Sequence, residues 1–150
     1  MRNREFVEEN ETARRELGEL IACLDEDSFK CDVGSGWTVS TLLCHLAFWD
    51  QRALFLLRQW QTGQFETSRF SSQSVDSINE AVKAISRAVP GPAAAKLAVE
   101  SAMAVDSLLE GISDELAGRI VSAGFERYLK RFLHRREHLQ KIREALARQP

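Results

Sequence analysis

Residues 38–60 read TVSTLLCHLAFWDQRALFLLRQW. Val39, Leu42, Leu43, Leu46, Trp49, Ala53, Leu56, Leu57 and Trp60 recur there at helical spacing and form a continuous apolar stripe. The helix is expected to start near Thr38 or Ser40, because either side chain can accept from a backbone N–H that the first turn leaves free. This is the clearest amphipathic helix in the chain, and the segments on both sides are helical as well.

Upstream, between about residues 3 and 24, Phe6, Ala13, Leu17, Leu20, Ile21 and Leu24 share one face, with glutamates and arginines opposite. Asp25-Glu26-Asp27-Ser28 breaks that pattern, and Gly34-Ser35-Gly36 completes a flexible connection. Downstream, residues 62–74 are rich in Thr, Gly, Ser and Gln and form the longest polar connection. A third helix is expected from Ser74 or Val75, with a kink or short turn at Pro90-Gly91-Pro92. It resumes through Ala93–Glu110, with Leu97, Met103, Leu108 and Leu109 on its apolar side. Ser113-Asp114-Glu115 should start a short turn before a last helix over roughly residues 125–147. No strand-like alternation, fixed repeat or linker resembling a domain boundary interrupts this order. The expected fold is all-α, a four-helix bundle in a single domain over residues 1–150.

Composition agrees with that class. The 150 residues are 44% hydrophobic and 28% charged, which suits a globular chain with its own core and excludes a disordered one. Twenty Lys and Arg against 22 Asp and Glu leave a formal net charge of −2, which argues against a nucleic-acid partner. The balance is uneven along the chain. Residues 1–30 carry five basic and nine acidic groups, and residues 126–148 carry eight basic and three acidic. The first and last helices are therefore expected to pair through complementary surfaces. No run of about 18 apolar residues is present, so no transmembrane helix is expected. The first residues lack the apolar core of a signal peptide. Cys23, Cys31 and Cys44 are odd in number, with Cys44 in a helix, so a reducing cytoplasm is expected rather than a disulfide framework.

Three histidines carry the functional lead. His134 and His138 are four residues apart, so both project from one helical face and can bind one ion. His45 lies beside the apolar stripe of its helix, where packing can bring it up as a third imidazole. Three neutral histidines with an open position make a catalytic type of metal site. The plain alternative is a solvated histidine pair on a basic helix. Against Phe125, Tyr128, Leu129 and Phe132 the pair points away from the core. Against Leu139, Ile142, Ala145 and Leu146, His138 joins the apolar side and His134 borders it. The segment His134-Arg135-Arg136-Glu137-His138 also fits the H-x-x-E-H pattern of inverted zincins. Those peptidases need a further acidic ligand downstream, so Glu137 is read as a surface residue or a partner of a ligand.

Three stretches then resemble the DinB-like family, related to the YfiT-type metal-dependent hydrolases and to the metal-binding domain of mycothiol-dependent maleylpyruvate isomerases. The first is Gly36-Trp37-Thr38-Val39 with Leu43-Cys44-His45-Leu46-Ala47-Phe48-Trp49-Asp50. The second is Asp76-Ser77-Ile78-Asn79, with Leu108 to Leu116 after it. The third is His134-Arg135-Arg136-Glu137-His138-Leu139-Gln140-Lys141-Ile142. Together they span most of the chain in the family's order. The resemblance implies a four-helix bundle whose metal ligands are His45, His134 and His138. It also implies a homodimer and a small-molecule substrate. The chemistry of the relatives is hydrolysis, or transfer and isomerisation with a low-molecular-weight thiol.

Imidazole ligands suit zinc, nickel, iron or copper, so ligand type does not select the ion; a divalent transition metal is expected, zinc or nickel first and iron next. A non-catalytic metal-binding, stress-related or dimerising bundle is the competing expectation. Cys44 adjoins His45, but neighbouring helical side chains point about 100° apart, which favours a core or groove role over a Cys–His nucleophile. Asp50 is read as a structural hydrogen-bond or ion-pair partner. Trp37 and Trp49 are read as packing residues, with a place at a pocket mouth as the alternative for either. Arg127, Lys130, Arg131, Arg135 and Arg136 are read as a solvated face before an anion-attracting one.

Overall fold

The stripe at residues 38–60 does form a helix, and its cap singles out Thr38 over Ser40. In the computed structural model, which describes residues 4–65 and 70–149, the Thr41 N–H donates to Thr38 Oγ1 at 3.2 Å. The Thr38 N–H donates in return to Thr41 Oγ1 at 2.8 Å. This reciprocal cap satisfies two backbone donors and starts α3 (Val39–Gln61).

Before it come α1 (Glu5–Ala22), the one-turn α2 (Glu26–Lys30) and a two-stranded hairpin, β1 (Asp32–Gly34) and β2 (Trp37–Thr38). Gly34, Ser35 and Gly36 turn that hairpin with φ of 111°, 55° and 82°, a left-handed run that glycine supplies at little steric cost. The hairpin is a small addition to a chain read as wholly helical, and the fold remains all-α. After α3 come α4 (Ser72–Ser86), α5 (Gly91–Glu110), α6 (Asp114–Ser122), a 3₁₀ turn (Glu126–Tyr128) and α7 (Arg131–Ala147). Residues 66–69 of the polar connection lie outside the described residues.

The expected break in the third helix is present as a short turn, residues 87–90, between α4 and α5, while three other expectations need correction. Pro90 stands at the N-cap and Pro92 in the first turn, where a missing N–H loses no helical bond. Pro-Gly-Pro therefore opens a helix rather than bending one. The apolar side of α5 is made of Ala94, Ala98, Ala102, Val105 and Leu109, while Leu97 and Met103 are exposed. Small side chains let α5 lie close against α3, its most extensive neighbour. The expected short turn at residue 113 is instead α6, capped by Ser113 Oγ, which accepts from the Leu116 N–H at 3.1 Å.

The last helix begins at Arg131, six residues later than expected. Its start is set from outside: the Phe132 N–H donates to Asn10 Oδ1, and Asn10 Nδ2 donates to the Leu129 carbonyl, both at 2.8 Å. Asn10 belongs to α1, so this cap is tertiary.

The expected pairing of the acidic first and basic last helices is present. α1 packs on α7, and Arg136 of α7 forms ion pairs with Glu9 and Glu16 of α1. α1 also packs on α5, and α4 lies against α3. The core has two parts strung along α3. One gathers Leu43, Leu46, Ala98, Leu139 and Ile142, and the other Leu54, Leu57, Trp60, Val105 and Phe125. No helix among the described residues is long and apolar enough to cross a membrane.

Candidate metal centre

The late start of α7 decides which way its histidines face. Phe125, Tyr128 and Leu129 precede the helix, so they do not set its inward side. That side is Arg135, His138, Leu139, Ile142 and Ala145, all buried. His138 therefore points inward and His134, one turn earlier, is half-buried beside it. On α3, His45 is buried and faces them.

The three Nε2 atoms form a nearly equilateral triangle. His45 lies 3.0 Å from His134 and 3.1 Å from His138, and the last two are 3.1 Å apart. Hydrogen bonding cannot account for this. Each Nε2 either carries one hydrogen or offers one lone pair, so three such atoms cannot satisfy all three contacts. A shared cation resolves the conflict, because three lone pairs then converge on one charge. A transition ion bound at about 2.0–2.1 Å holds imidazole nitrogens roughly 2.9–3.4 Å apart, for angles from about 90° to the tetrahedral value. The observed spacing falls inside that range.

Protonation agrees with the geometry. Burial, with His138 and Lys141 adding to it, lowers the pKa of His45 to about 3. Burial, with Lys141 and Arg127, lowers that of His138 to about 4. His134 is held well below its ordinary value by burial and then by Arg131. All three are neutral near pH 7, the form that binds metal. The Nδ1 atoms of all three rings are buried and have no hydrogen-bond partner in the protein. Many metal-bound histidines are aligned by a carboxylate or carbonyl at that position; here the rings are aligned by packing. Trp37 stands edge-on to His45 with ring centroids 5.2 Å apart, and Trp49 lies at 6.5 Å on the same ring. Lys83 braces Trp37 by donating to the Ser35 carbonyl at 2.9 Å while its Nζ sits 5.3 Å from the Trp37 ring centre.

Beneath the triad lies a buried ionic cluster. Arg135 donates to both carboxylate oxygens of Asp106 at 2.8 and 2.9 Å and to Asp50 at 3.2 and 3.3 Å. Arg131 adds a bond to Asp50 at 2.9 Å. Asp50 is thus an ion-pair partner, as its place on the stripe suggested. Arg131 and Arg135 are not on a solvated face, and that expectation is corrected: two buried carboxylates draw them inward. Arg136 is taken up by α1, and Lys130 pairs with its neighbour Glu126 at 3.0 Å. Of the five cations only Arg127 remains as a largely exposed side chain beside the triad.

Sequence reasoning missed Asp106 and Asn10. For the first, the available signal was its place four residues after Ala102 on the small-residue face of α5, unlike the exposed Glu100 and Glu110. Nothing local signals the second, whose partners are more than 100 residues away. Cys44 is buried in the apolar core, and burial pushes its thiol up, so it does not serve as a thiolate. Glu137 is half-exposed and faces Arg127 and Lys141. It is not among the groups that converge, because among the described residues the cluster contains His45, His134 and His138 alone.

A cleft of about 1040 Å³ opens over these nitrogens. Trp37, Trp49, Arg52, Asn79 and Tyr128 line it together with the triad. Trp49 Nε1 donates to Asn79 Oδ1 at 2.8 Å, and Arg52 donates to the Tyr128 hydroxyl at 2.7 Å. Three nitrogen donors, with no fourth ligand converging on them among the described residues, and an open cleft suit an ion that keeps positions for solvent or substrate. No family model, curated protein or solved structure matches the chain.

Proposed function

We propose that this chain is a metal-dependent enzyme acting on a small molecule, with one divalent transition ion on His45, His134 and His138. The single observation that carries the reading is the Nε2 triangle, with sides of 3.0–3.1 Å, at the base of a cleft. We further propose the DinB-like four-helix bundle as its fold type, with α1, α3, α5 and α7 as the four helices and α4 flanking α3. Zinc and nickel are the first candidates for the ion and iron the next. The reaction is hydrolysis or transfer by a low-molecular-weight thiol, and the working unit is a cytoplasmic homodimer.

An ion with open positions lowers the pKa of a bound water or thiol toward neutrality and so supplies the nucleophile. The chain's own residues do the rest. Burial keeps the three imidazoles neutral, and the Asp50–Arg135–Asp106 cluster fixes α7 against α3 and α5. Trp37 and Trp49 shield one side of His45 and narrow the approach to it.

Metal analysis of untagged protein tests the site. The wild type is expected to carry about one ion per chain, and His138→Ala close to none with its helical signal retained. Metal near zero in both overturns the site, and equal metal in both overturns the ligand set. One observation favours a non-catalytic metal-binding bundle instead: the cleft's nearest acid on α7, Glu137, is engaged with two cations rather than with the triad. Turnover of esters, amides or thiol–electrophile pairs by the loaded protein separates the two readings.

A further inference from the structure

The cleft is asymmetric in charge. Its lining holds Arg52, Arg127, Arg131 and Lys141 against Asp76, Glu80 and Glu137. Several of these are already committed. Glu80 pairs with Lys83 at 2.8 Å, Arg131 with Asp50 at 2.9 Å, and Arg52 stacks 4.3 Å from the Phe70 ring centre while bonded to Tyr128. Arg52 keeps its charge, since neither of those partners is an acid, and Asp76 of α4 offsets it in the count; Arg127, Glu137 and Lys141 remain beside the triad. Glu137 lies 3.9 Å from Arg127 Nη2 and 3.5 Å from Lys141 Nζ.

Both separations exceed the roughly 2.7–2.9 Å of a charge-assisted hydrogen bond. All three side chains are about half exposed or more, so water competes for each of them and the pairing is weak. Two cations sharing one loosely held carboxylate carry a surplus of positive charge. Both stand near enough to His138 for their fields to act on it. An ion on the triad would add to that surplus, and an anionic ligand entering the cleft would relieve it. The resident group is itself a carboxylate, with Oε2 toward Arg127 and Oε1 toward Lys141, the arrangement that a ligand's carboxylate would take over.

We infer that the cleft takes a small carboxylic acid, whose carboxylate binds Arg127 and Lys141 in the place Glu137 now holds and whose remainder lies over the three histidines. The inference names the substrate class for the proposed enzyme and rests on that reading for the chemistry, but the anchoring cations belong to the chain alone. Glu137 is then a stand-in that the ligand displaces, and removing its charge should strengthen binding rather than weaken it. A purely structural glutamate would do the reverse.

Trp37 and Trp49 line the cleft, so their emission reports occupancy. Metal-free and zinc-loaded proteins are each titrated with succinate, with succinamide as the uncharged counterpart and with inorganic phosphate as a different anion. Succinate is expected to bind both forms and succinamide neither. In metal-free protein, Arg127→Gln with Lys141→Gln should raise the succinate Kd about fivefold or more, and Glu137→Gln should lower it about two- to fivefold. All three positions are exposed enough for the variants to fold. No succinate binding, an unchanged Kd in the double variant, weaker binding by Glu137→Gln, or succinamide binding as well as succinate each overturns the inference. Phosphate binding as tightly as succinate overturns the carboxylate assignment. Metal content measured on the same samples keeps the two readings apart: loss of the metal site with succinate binding intact removes only the proposed enzyme chemistry.

Discussion

Burial at the level of single imidazoles ties the candidate site to pH. His45 and His138 have folded pKa values of about 3 and about 4, against about 6.5 in an unfolded chain. Between those values the unfolded state binds protons that the folded state refuses, so metal-free protein loses stability as pH falls below about 6.5. The loss is at most about 1.4 kcal/mol per pH unit for each histidine, and the term is flat above that range. Urea midpoints measured from about pH 7 down to about pH 5 should show the decline, and His45→Gln with His138→Gln should flatten it. Equal slopes in variant and wild type would remove the linkage. The spacing of His134 and His138 was readable as a metal-ligand pattern. The burial of Arg135 between them was not, because a guanidinium moves inward only when carboxylates already wait there. Those carboxylates, Asp50 and Asp106, stand on two other helices.

Single elements obey the same division. α3 is legible from end to end because its stripe and its Thr38 cap are both local. The start of α7 is not, since Asn10 sets it from across the fold, and with that start hidden the inward side of the last helix stayed ambiguous. Two substitutions test what positions the helices. Arg135→Met leaves the Asp106 and Asp50 carboxylates buried without their main partner, and should cost about 3–5 kcal/mol in urea unfolding. Asp106→Asn keeps shape and hydrogen bonding, so it should cost less. A loss below about 1 kcal/mol for Arg135→Met would show that the cluster does not hold α7 in place. Gly91→Ala addresses the opening of α5. A Cβ there would come within 2.6 Å of Phe29 Cδ2 and 2.8 Å of Phe29 Cβ, so α2 or α5 must shift. The expected cost is about 1–3 kcal/mol, and Phe29→Ala combined with it should recover part of the overpacking term in a double-mutant cycle.

For the molecule as a whole, the small net charge of −2 conceals an acidic first helix and a basic last one that seal against each other through Arg136, Glu9 and Glu16. If an ion binds the folded triad and not the unfolded chain, zinc or nickel at about 100 times its Kd should add about 2.7 kcal/mol. For a chain of this size that raises Tm by roughly 5–10 °C. Calorimetry with and without metal, followed by a chelator, checks both the rise and its reversal. An unchanged Tm would mean that no ion prefers the folded state.

The triad also fixes an order in time. His134 and His138 follow His45 by 89 and 93 residues, and the helix that carries them is capped by a residue of the first helix. During translation α1 and α3 therefore emerge long before anything can complete the triangle, and a ribosome-bound chain ending before residue 131 has only one of its three imidazoles. If the triad takes up an ion, that capture reports on assembly, because it requires α7 to be seated against α3.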